Sequence, residues 1–305
     1  MSASNHDSSA SSQAWYAHFL SNSSAGDDLP WDSPYKLTDE ERRTIWKSIQ
    51  QFQLGENAEG RHLLARGKEW SHAARDPHFV SVLGLFIKEE QRHSRQLLRF
   101  MRRERIPELR SHWLDDVFRR IRILAGLELE LRILVTAEVI AVPYYRALGT
   151  ATESDLLHAI SDSILADEAA HLRFQKSMLR RLGALRNPAL RCMVWQAHRL
   201  FLVGTCCVVW FEHRSVFKAV GYSFGKLLEE ALCEMSALEA PSTALTNRTT
   251  GRPAIASAPA TSDPAQLADN EIGKPPSLRS GRQPSRSAEW MRRHCLPVSA
   301  SRSPR

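Results

Sequence analysis

Apolar side chains recur at the spacing of an α-helix through most of residues 38–237. Residues three and four positions apart share one face of a helix, so each run has one side suited to burial. No run alternates apolar and polar residues over the length of a strand. The pattern predicts an all-α protein with long helices at about 38–70, 77–105, 111–148, 155–182 and 188–221, and a short one at about 224–237.

The breaks between these runs contain residues that begin and end helices. Thr38 and Glu41 have the form of a capping box, in which each side chain satisfies a free amide of the first turn. Asp76-Pro77 and Asn187-Pro188 place a capping residue before a proline, which fits the first helical position. Because the connections near residues 75 and 151 are short, the first four helices should form two antiparallel hairpins. The predicted domain is 37–237, with a fifth helix after the hairpins.

Two Glu-x-x-His pairs lie on the apolar stripes of the second and fourth predicted helices. Glu90 and His93 form the first pair, and Glu168 and His171 form the second. Residues three apart lie on one face of a helix, so each pair can present a carboxylate and an imidazole to the same point. Burial of four ionisable groups is costly unless something pairs with them, and a cation is the simplest partner.

A glutamate on the apolar stripe of the preceding helix accompanies each pair. Glu56 precedes Glu90 and Glu138 precedes Glu168, in each case within about one turn of the same level across the hairpin. Glu59 remains an alternative to Glu56, and Glu130 is the weaker rival of Glu138 because it falls off that stripe. Four carboxylates and two imidazoles are the ligand set of a di-metal site. The predicted ligands are Glu56, Glu90, His93, Glu138, Glu168 and His171.

Four segments resemble parts of the ferritin-like di-iron carboxylate superfamily. EEQRHS (89–94) and DEAAH (167–171) are similar to motifs of acyl-carrier desaturases and of the small subunit of ribonucleotide reductase. LGENAEGR (54–61) is similar to the first-helix segment of rubrerythrin, and AEVIAVPYYRAL (137–148) takes the third-helix place. The resemblance covers about residues 40–180. It implies a ferritin-like four-helix bundle, here with a fifth helix, that binds two iron ions or a Mn/Fe pair.

The resemblance also implies roles for residues around the ligands. Glu89 and Asp167 match acids that, in this superfamily, orient the histidine of the opposite motif. Arg92 is placed to pair with one of these acids. Tyr144 and Tyr145 lie in the third-helix segment, where packing is the simpler role and a redox tyrosine is the alternative. The four-cysteine iron domain of rubrerythrin has no counterpart in the sequence, so an external electron donor is expected.

The ends of the chain differ from the predicted domain in composition. The net charge of +7 lies almost wholly in residues 241–305, where nine Arg and one Lys face two Asp and two Glu. Residues 238–305, rich in Ser, Pro and Arg, are predicted to form a disordered tail, and residues 1–36 a disordered arm with one short turn near Trp15. Without aromatic residues interleaved among its arginines, the basic segment is more typical of a solvated tail than of a nucleic-acid-binding arm.

The five cysteines form no Cys-x-x-Cys pair and no disulfide framework, which favours a reducing compartment. The N-terminus lacks the basic start and apolar segment of a secretory signal. The longest apolar run, residues 200–211, is too short to span a bilayer. We therefore expect a cytoplasmic protein without a membrane span.

These observations favour an oxidoreductase that uses a di-iron site to activate O2 or peroxide and oxidises an organic substrate that the sequence does not identify. The expected partners are a small-molecule substrate and an electron donor, and a homodimer is compatible with this interpretation. One alternative is an iron-handling ferroxidase or storage protein. Another is a non-catalytic metal-binding bundle whose basic tail binds nucleic acid.

Overall fold

The computed structural model describes residues 11–23, 28–57, 60–113, 117, 120, 126–184 and 186–238. Within these ranges the chain is helical and contains no strand, which confirms the predicted all-α class. Most of the predicted C-terminal tail and Glu59 lie outside the described residues. In chain order the helices are α1 Ser12–Ser23, α2 Asp39–Glu56, α3 Arg61–Ala74, α4 Phe79–Arg103, α5 Leu127–Thr150, α6 Asp155–Gly183, α7 Pro188–Ala219 and α8 Phe224–Ala237.

Most predicted helix boundaries agree with the structure to within a few residues. The Thr38 hydroxyl accepts a hydrogen bond from the Glu41 amide, and the Glu41 carboxylate accepts one from the Thr38 amide, as in the predicted capping box. The Asn187 side chain caps α7 through the Leu190 amide. The third predicted helix is described as one continuous element only from Leu127, because much of 111–126 lies outside the described residues.

The helix α1 corrects the prediction of a disordered N-terminal arm. Trp15 and Phe19, one turn apart, are both buried. Their rings pack against Phe174 and Phe86, with centroids 5.6 and 6.4 Å apart respectively. Burial of two aromatic side chains offsets the cost of ordering a short helix. The spacing of the two aromatics was the available signal, but the Ser- and Asn-rich surroundings concealed it.

The start of α4 also differs from the prediction. The helix begins at Phe79, three residues after Asp76, so Asp76 is not at its capping position. The Asp76 carboxylate is bonded to the His78 amide just before the helix, and it also accepts hydrogen bonds from Ser12 Oγ at 2.6 Å and from Arg181 Nη2 at 2.7 Å. These contacts tie the beginning of α1 to the end of α6.

The first predicted helix is divided in two, α2 and α3, by a break that ends at Gly60. This glycine has φ +62°, in the left-handed region that other residues rarely adopt. A Cβ atom at this position would collide with the Ile87 side chain of α4, so the close approach also requires glycine. The break allows the chain to change direction directly after Glu56.

The helices pack as two pairs joined along α4 and α6. The short connection at residues 151–154 makes α5 and α6 antiparallel, and they contact each other extensively. On the other side, α4 packs against α1, α2 and α3. The remaining helices, α7 and α8, pack against α5 and against each other, and α7 also contacts α2. The predicted hairpin pairing is therefore present, with α2 and α3 together in the place of the first helix.

The buried apolar side chains form two separate clusters. One includes Trp15, Phe79 and Phe174, and the other extends through α2, α5, α7 and α8. On α4 the two clusters are separated by residues 88–96. On α6 there is no such gap, because Leu172 still belongs to one cluster and Phe174 belongs to the other. Both Glu-x-x-His motifs therefore lie near the boundary between the two apolar clusters.

One described helix, α7, is long and apolar enough to cross a membrane by length and composition alone. A single helix of this kind is weak grounds for a membrane span. Its inner side, including Leu202 and Cys206, is buried against the other helices. Its outer side leaves Met193, Leu200 and Phe211 exposed. The helix therefore forms an outer wall of the packed domain.

Candidate metal centre

Four helices, α2, α4, α5 and α6, bring ionisable side chains to one place in the interior. Two groups of four residues form there, and in each group one potential ligand atom per residue lies within 4.8 Å of the others. Glu90 and Glu168 belong to both groups. The first group is completed by Glu56 and His93, and the second by Glu138 and His171. Two carboxylates shared between two such groups are suited to two adjacent cations.

The structure thus brings together all six residues that the sequence predicted as ligands. The rival Glu130 is buried but belongs to neither group. The other alternative, Glu59, lies outside the described residues. Both histidines are fully buried, whereas 16% of the Glu90 side chain is exposed. Glu90 is therefore the most exposed of the six candidate ligands.

The two imidazoles are oriented by acids of the opposite motif. His93 Nε2 lies 2.9 Å from Asp167 Oδ2, and His171 Nε2 lies 2.9 Å from Glu89 Oε2. A carboxylate accepts the proton of Nε2, so in the neutral imidazole, the form that binds a metal ion, Nδ1 carries the lone pair. His171 Nδ1 faces the shared acid Glu90 at 2.9 Å. The outer acids therefore direct Nδ1 of each histidine inwards, the arrangement that the resemblance implied for Glu89 and Asp167.

Arg92 and Asn22 surround these outer acids. Arg92 Nη2 donates to Asp167 Oδ2 at 2.6 Å, the pairing that the sequence suggested. Asn22, from α1, donates through its Nδ2 to Glu89 Oε1 at 2.7 Å and to Asp167 Oδ1 at 2.9 Å. The hydrogen bond from His93 and the charge of Arg92 help to hold the pKa of Asp167 well below its ordinary range, although burial alone would raise it. Asp167 is therefore ionised.

Glu56 and Glu138 each belong to only one of the two groups, and a neutral side chain donates a hydrogen bond to each of them. The Tyr145 hydroxyl donates to Glu56 Oε1 at 2.5 Å. The Gln175 side-chain amide donates to Glu138 Oε1. A fixed carboxylate loses little conformational freedom when it binds a cation, so these bonds preorganise the cluster.

Several buried atoms of the cluster have no hydrogen-bond partner among the described residues. They are His93 Nδ1, Glu138 Oε2 and Glu168 Oε2. A buried polar atom without a partner is costly, and native proteins rarely tolerate several in one place. Oxygen and imidazole nitrogen atoms are suitable ligands for first-row divalent ions. The orphaned atoms therefore fit a site for metal ions.

The pKa shifts of the buried side chains also favour the binding of cations. Burial raises the pKa of Glu56 and of Glu138 well above the ordinary value, and neighbouring carboxylates raise both further. Burial also raises the pKa of Glu168. Burial disfavours a charged His171, yet hydrogen bonds to the surrounding glutamates raise its pKa well above normal. Without a cation the cluster keeps protons, and metal ions would replace them.

A second polar chain runs from the cluster towards α7. The Tyr144 and Tyr145 rings lie 5.3 Å apart, and Ser48 Oγ lies 3.0 Å from the Tyr144 hydroxyl and 2.9 Å from His213 Nδ1. Burial lowers the pKa of His213 to about 3, so this imidazole is neutral. Both tyrosines are fully buried, which agrees with the packing role that the sequence favoured.

Sequence reasoning missed two of the polar residues around the ligands. Asn22 lies in the segment predicted to be disordered, and nothing in the local pattern marks it. Gln175 lies seven residues after Glu168, which places it on the same helical face, and this spacing was an available signal. His198 contacts Thr136 Oγ1 at 3.0 Å and belongs to neither group of the cluster.

A comparison with known proteins found no relative of this chain. No family model, curated protein or solved structure matches this chain. The geometry of the buried Glu and His side chains is therefore the ground on which a function can be argued.

Proposed function

We propose that this protein is a ferritin-like di-metal carboxylate protein that binds two iron ions and serves as an O2- or peroxide-activating oxidoreductase. The observation that carries the proposal is the sharing of Glu90 and Glu168 between two four-residue groups. A structural salt-bridge cluster has no need of such an arrangement. Two adjacent cations would be held well by it, since Glu90 and Glu168 would be ligands available to either ion.

The arrangement of the helices supports a ferritin-like bundle. In that architecture one Glu comes from each of two helices and one Glu-x-x-His from each of the other two. Here Glu56 of α2 and Glu138 of α5 are the single glutamates, and α4 and α6 supply the pairs. The break after Glu56, the N-terminal α1 and the added α7 and α8 distinguish this chain from a minimal bundle.

The charge balance supports two divalent ions. Four inner carboxylates with two neutral imidazoles offset the charge of two divalent cations. Mixed carboxylate and imidazole donors are typical of iron sites, and the same set accepts a Mn/Fe pair. Iron bound there would supply the electron transfer that activation of O2 or peroxide requires.

The chain's own residues provide three further conditions for such chemistry. The two apolar clusters on either side exclude water from the polar boundary layer. Tyr145, Gln175 and the outer acids hold the inner groups in place before a metal arrives. Glu90 is partly exposed, so one of the candidate ligands reaches the solvent-accessible surface.

The first test is reconstitution of the full-length protein with Fe(II) without oxygen, followed by elemental analysis and an optical spectrum before and after exposure to air. We expect about two irons per chain and a new near-ultraviolet absorption in air. Glu90→Ala should lose both irons because it removes a shared ligand. Glu69→Ala, which changes an exposed glutamate of α3, is the matched control and should keep both.

A failure to take up iron in this experiment would reject the proposal. If iron is bound and oxidised but the protein assembles into a very large cage, the iron-handling alternative is supported instead. Size-exclusion mass measured on the same sample distinguishes the two.

A further inference from the structure

Asn22 joins the two halves of the candidate metal centre at a point that the ligand pattern does not explain. Its Nδ2 lies 2.7 Å from Glu89 Oε1 and 2.9 Å from Asp167 Oδ1. These two acids come from different helices and different motifs. An amide group has two N–H protons, and in this position each carboxylate can accept one of them.

Each acid uses its other oxygen to hold a histidine. Glu89 Oε2 contacts His171 Nε2, and Asp167 Oδ2 contacts His93 Nε2, both at 2.9 Å. A continuous chain of hydrogen bonds therefore runs from one imidazole to the other through the single amide of Asn22. A side chain without two N–H donors cannot complete this chain.

The position of Asn22 is fixed by the rest of α1. Phe19, one turn earlier, packs on His171 with ring centroids 5.9 Å apart. Ser12, at the other end of the helix, is bonded to Asp76 at 2.6 Å. Arg92 Nη1 approaches the Asn22 carbonyl oxygen at 3.5 Å. The helix is thus anchored at both ends, and its apolar face lies on the aromatic cluster beside the metal centre.

Asn22 also separates two carboxylates that would otherwise repel each other. Glu89 and Asp167 are both buried, and like charges in a buried place are strongly unfavourable without donors between them. Without the amide, Asp167 would be held from the side of His93 and Arg92, and Glu89 from the side of His171, but no donor would join the two acids. The imidazoles they hold would then lose their fixed orientation.

We propose that Asn22 is a positioning residue that ties the outer carboxylates of both motifs together and so keeps both histidine Nδ1 atoms directed at the inner carboxylates. The inference rests on the proposed metal function and deepens it. It makes α1 part of the metal centre, and it predicts that one substitution far from the ligand motifs weakens both metal positions.

The test compares Asn22→Ala and Asn22→Asp with wild type, using Co(II) as the probe because its visible spectrum reports ligand geometry. Ser21→Ala is the matched control, since Ser21 is exposed and bonds only to the backbone of its own helix at His18. Each full-length protein is loaded with Co(II), and the release of both ions to excess chelator is followed. Loss of a residue that orients a metal ligand typically weakens metal binding by about 10- to 100-fold.

We expect both Asn22 variants to bind two Co(II) ions and to release both at least about 10-fold faster than wild type. The visible spectrum should change, and Ser21→Ala should behave as wild type. Asn22→Asp should have the larger effect, because it adds a third acid between the other two. A purely structural role of α1 would lower thermal stability without changing the spectrum of the loaded protein.

The outcomes separate this inference from the proposal on which it rests. If wild type binds no Co(II), both the proposed metal function and the role of Asn22 are rejected. If wild type binds two ions and both Asn22 variants release them at the wild-type rate, only the role of Asn22 falls. Faster release of one ion alone would also overturn it, because Asn22 would then serve a single motif.

A measurement on the metal-free protein tests the role of Asn22 even if a variant binds too little Co(II) for the release experiment. The Nε2 protons of His93 and His171, held by buried acids, should give slowly exchanging downfield NMR signals in wild type. Asn22→Ala should speed the exchange of both with water. Unchanged exchange of both protons would contradict the proposed coupling.

Discussion

The two halves of the candidate metal centre have the same types of inner residue but different surroundings. In the half that contains His93, the outer acid Asp167 is paired with Arg92 at 2.6 Å. In the half that contains His171, the imidazole packs instead against Phe86, with centroids 4.7 Å apart. The repeated motif therefore gives two positions that are similar in ligand type and unequal in environment.

The difference in charge has a consequence for metal affinity. Arg92 compensates the charge of Asp167 and so makes the His93 half less negative. The His171 half is in addition lined by aromatic rings, and electrostatic attraction is stronger where water is excluded. We therefore expect the first cation to bind in the His171 half.

The largest effect should come from the residues that the halves share. Glu168→Ala removes a ligand from both groups, and we expect metal content to fall from about two ions per chain to nearly none. Glu138→Ala removes a ligand from one group and should leave about one ion. Elemental analysis after gel filtration measures both. Retention of one ion by Glu168→Ala would show that the two positions are independent.

The two histidines should have separate and unequal effects. His93→Ala and His171→Ala should each lose one ion, and the ion left in His93→Ala should be bound the more tightly by about 10-fold or more. The measurement is competition with a chelator of known affinity. His62→Ala, at an exposed position on α3, is the control. Equal affinities in the two variants would mean that the different surroundings do not matter.

The smallest effect should come from the charge of Arg92. Arg92→Gln keeps a hydrogen-bond donor near Asp167 and removes the positive charge, so the affinity of the His93 half should rise. A gain on the order of 1 kcal/mol is expected for a partly exposed charge, and it should shrink at high salt. Arg95→Gln, on the exposed side of the same helix, is the control. A weaker His93 half would show that Arg92 acts by orientation instead.

The inner site could be predicted from sequence because its signal is local. Glu90 and His93 lie three residues apart on an apolar stripe, and a polar pair in such a place demands an explanation. Because the same pair recurs at Glu168 and His171, chance is a poor explanation of the pattern. The same logic identified Glu56 and Glu138, since helix geometry fixes their level across a short turn.

The remaining features depend on contacts between distant parts of the chain. Asn22 reaches acids 67 and 145 positions away, and nothing near it in sequence indicates such partners. The break at Gly60 depends on the close approach of Ile87 from another helix. Local patterns describe which face of a helix is buried, whereas these features depend on what the face is buried against.

The place of α1 in the chain has a consequence for the order of folding. It is made first, but Asp167 must be synthesised before Asn22 can contact both of its acids. Contacts of such long sequence separation form late because the intervening chain must first be ordered. We therefore expect the contact between Asn22 and Asp167 to be among the last to form around the six candidate ligands. A metal ion that arrives before this contact forms could enter the cluster without unfolding the protein.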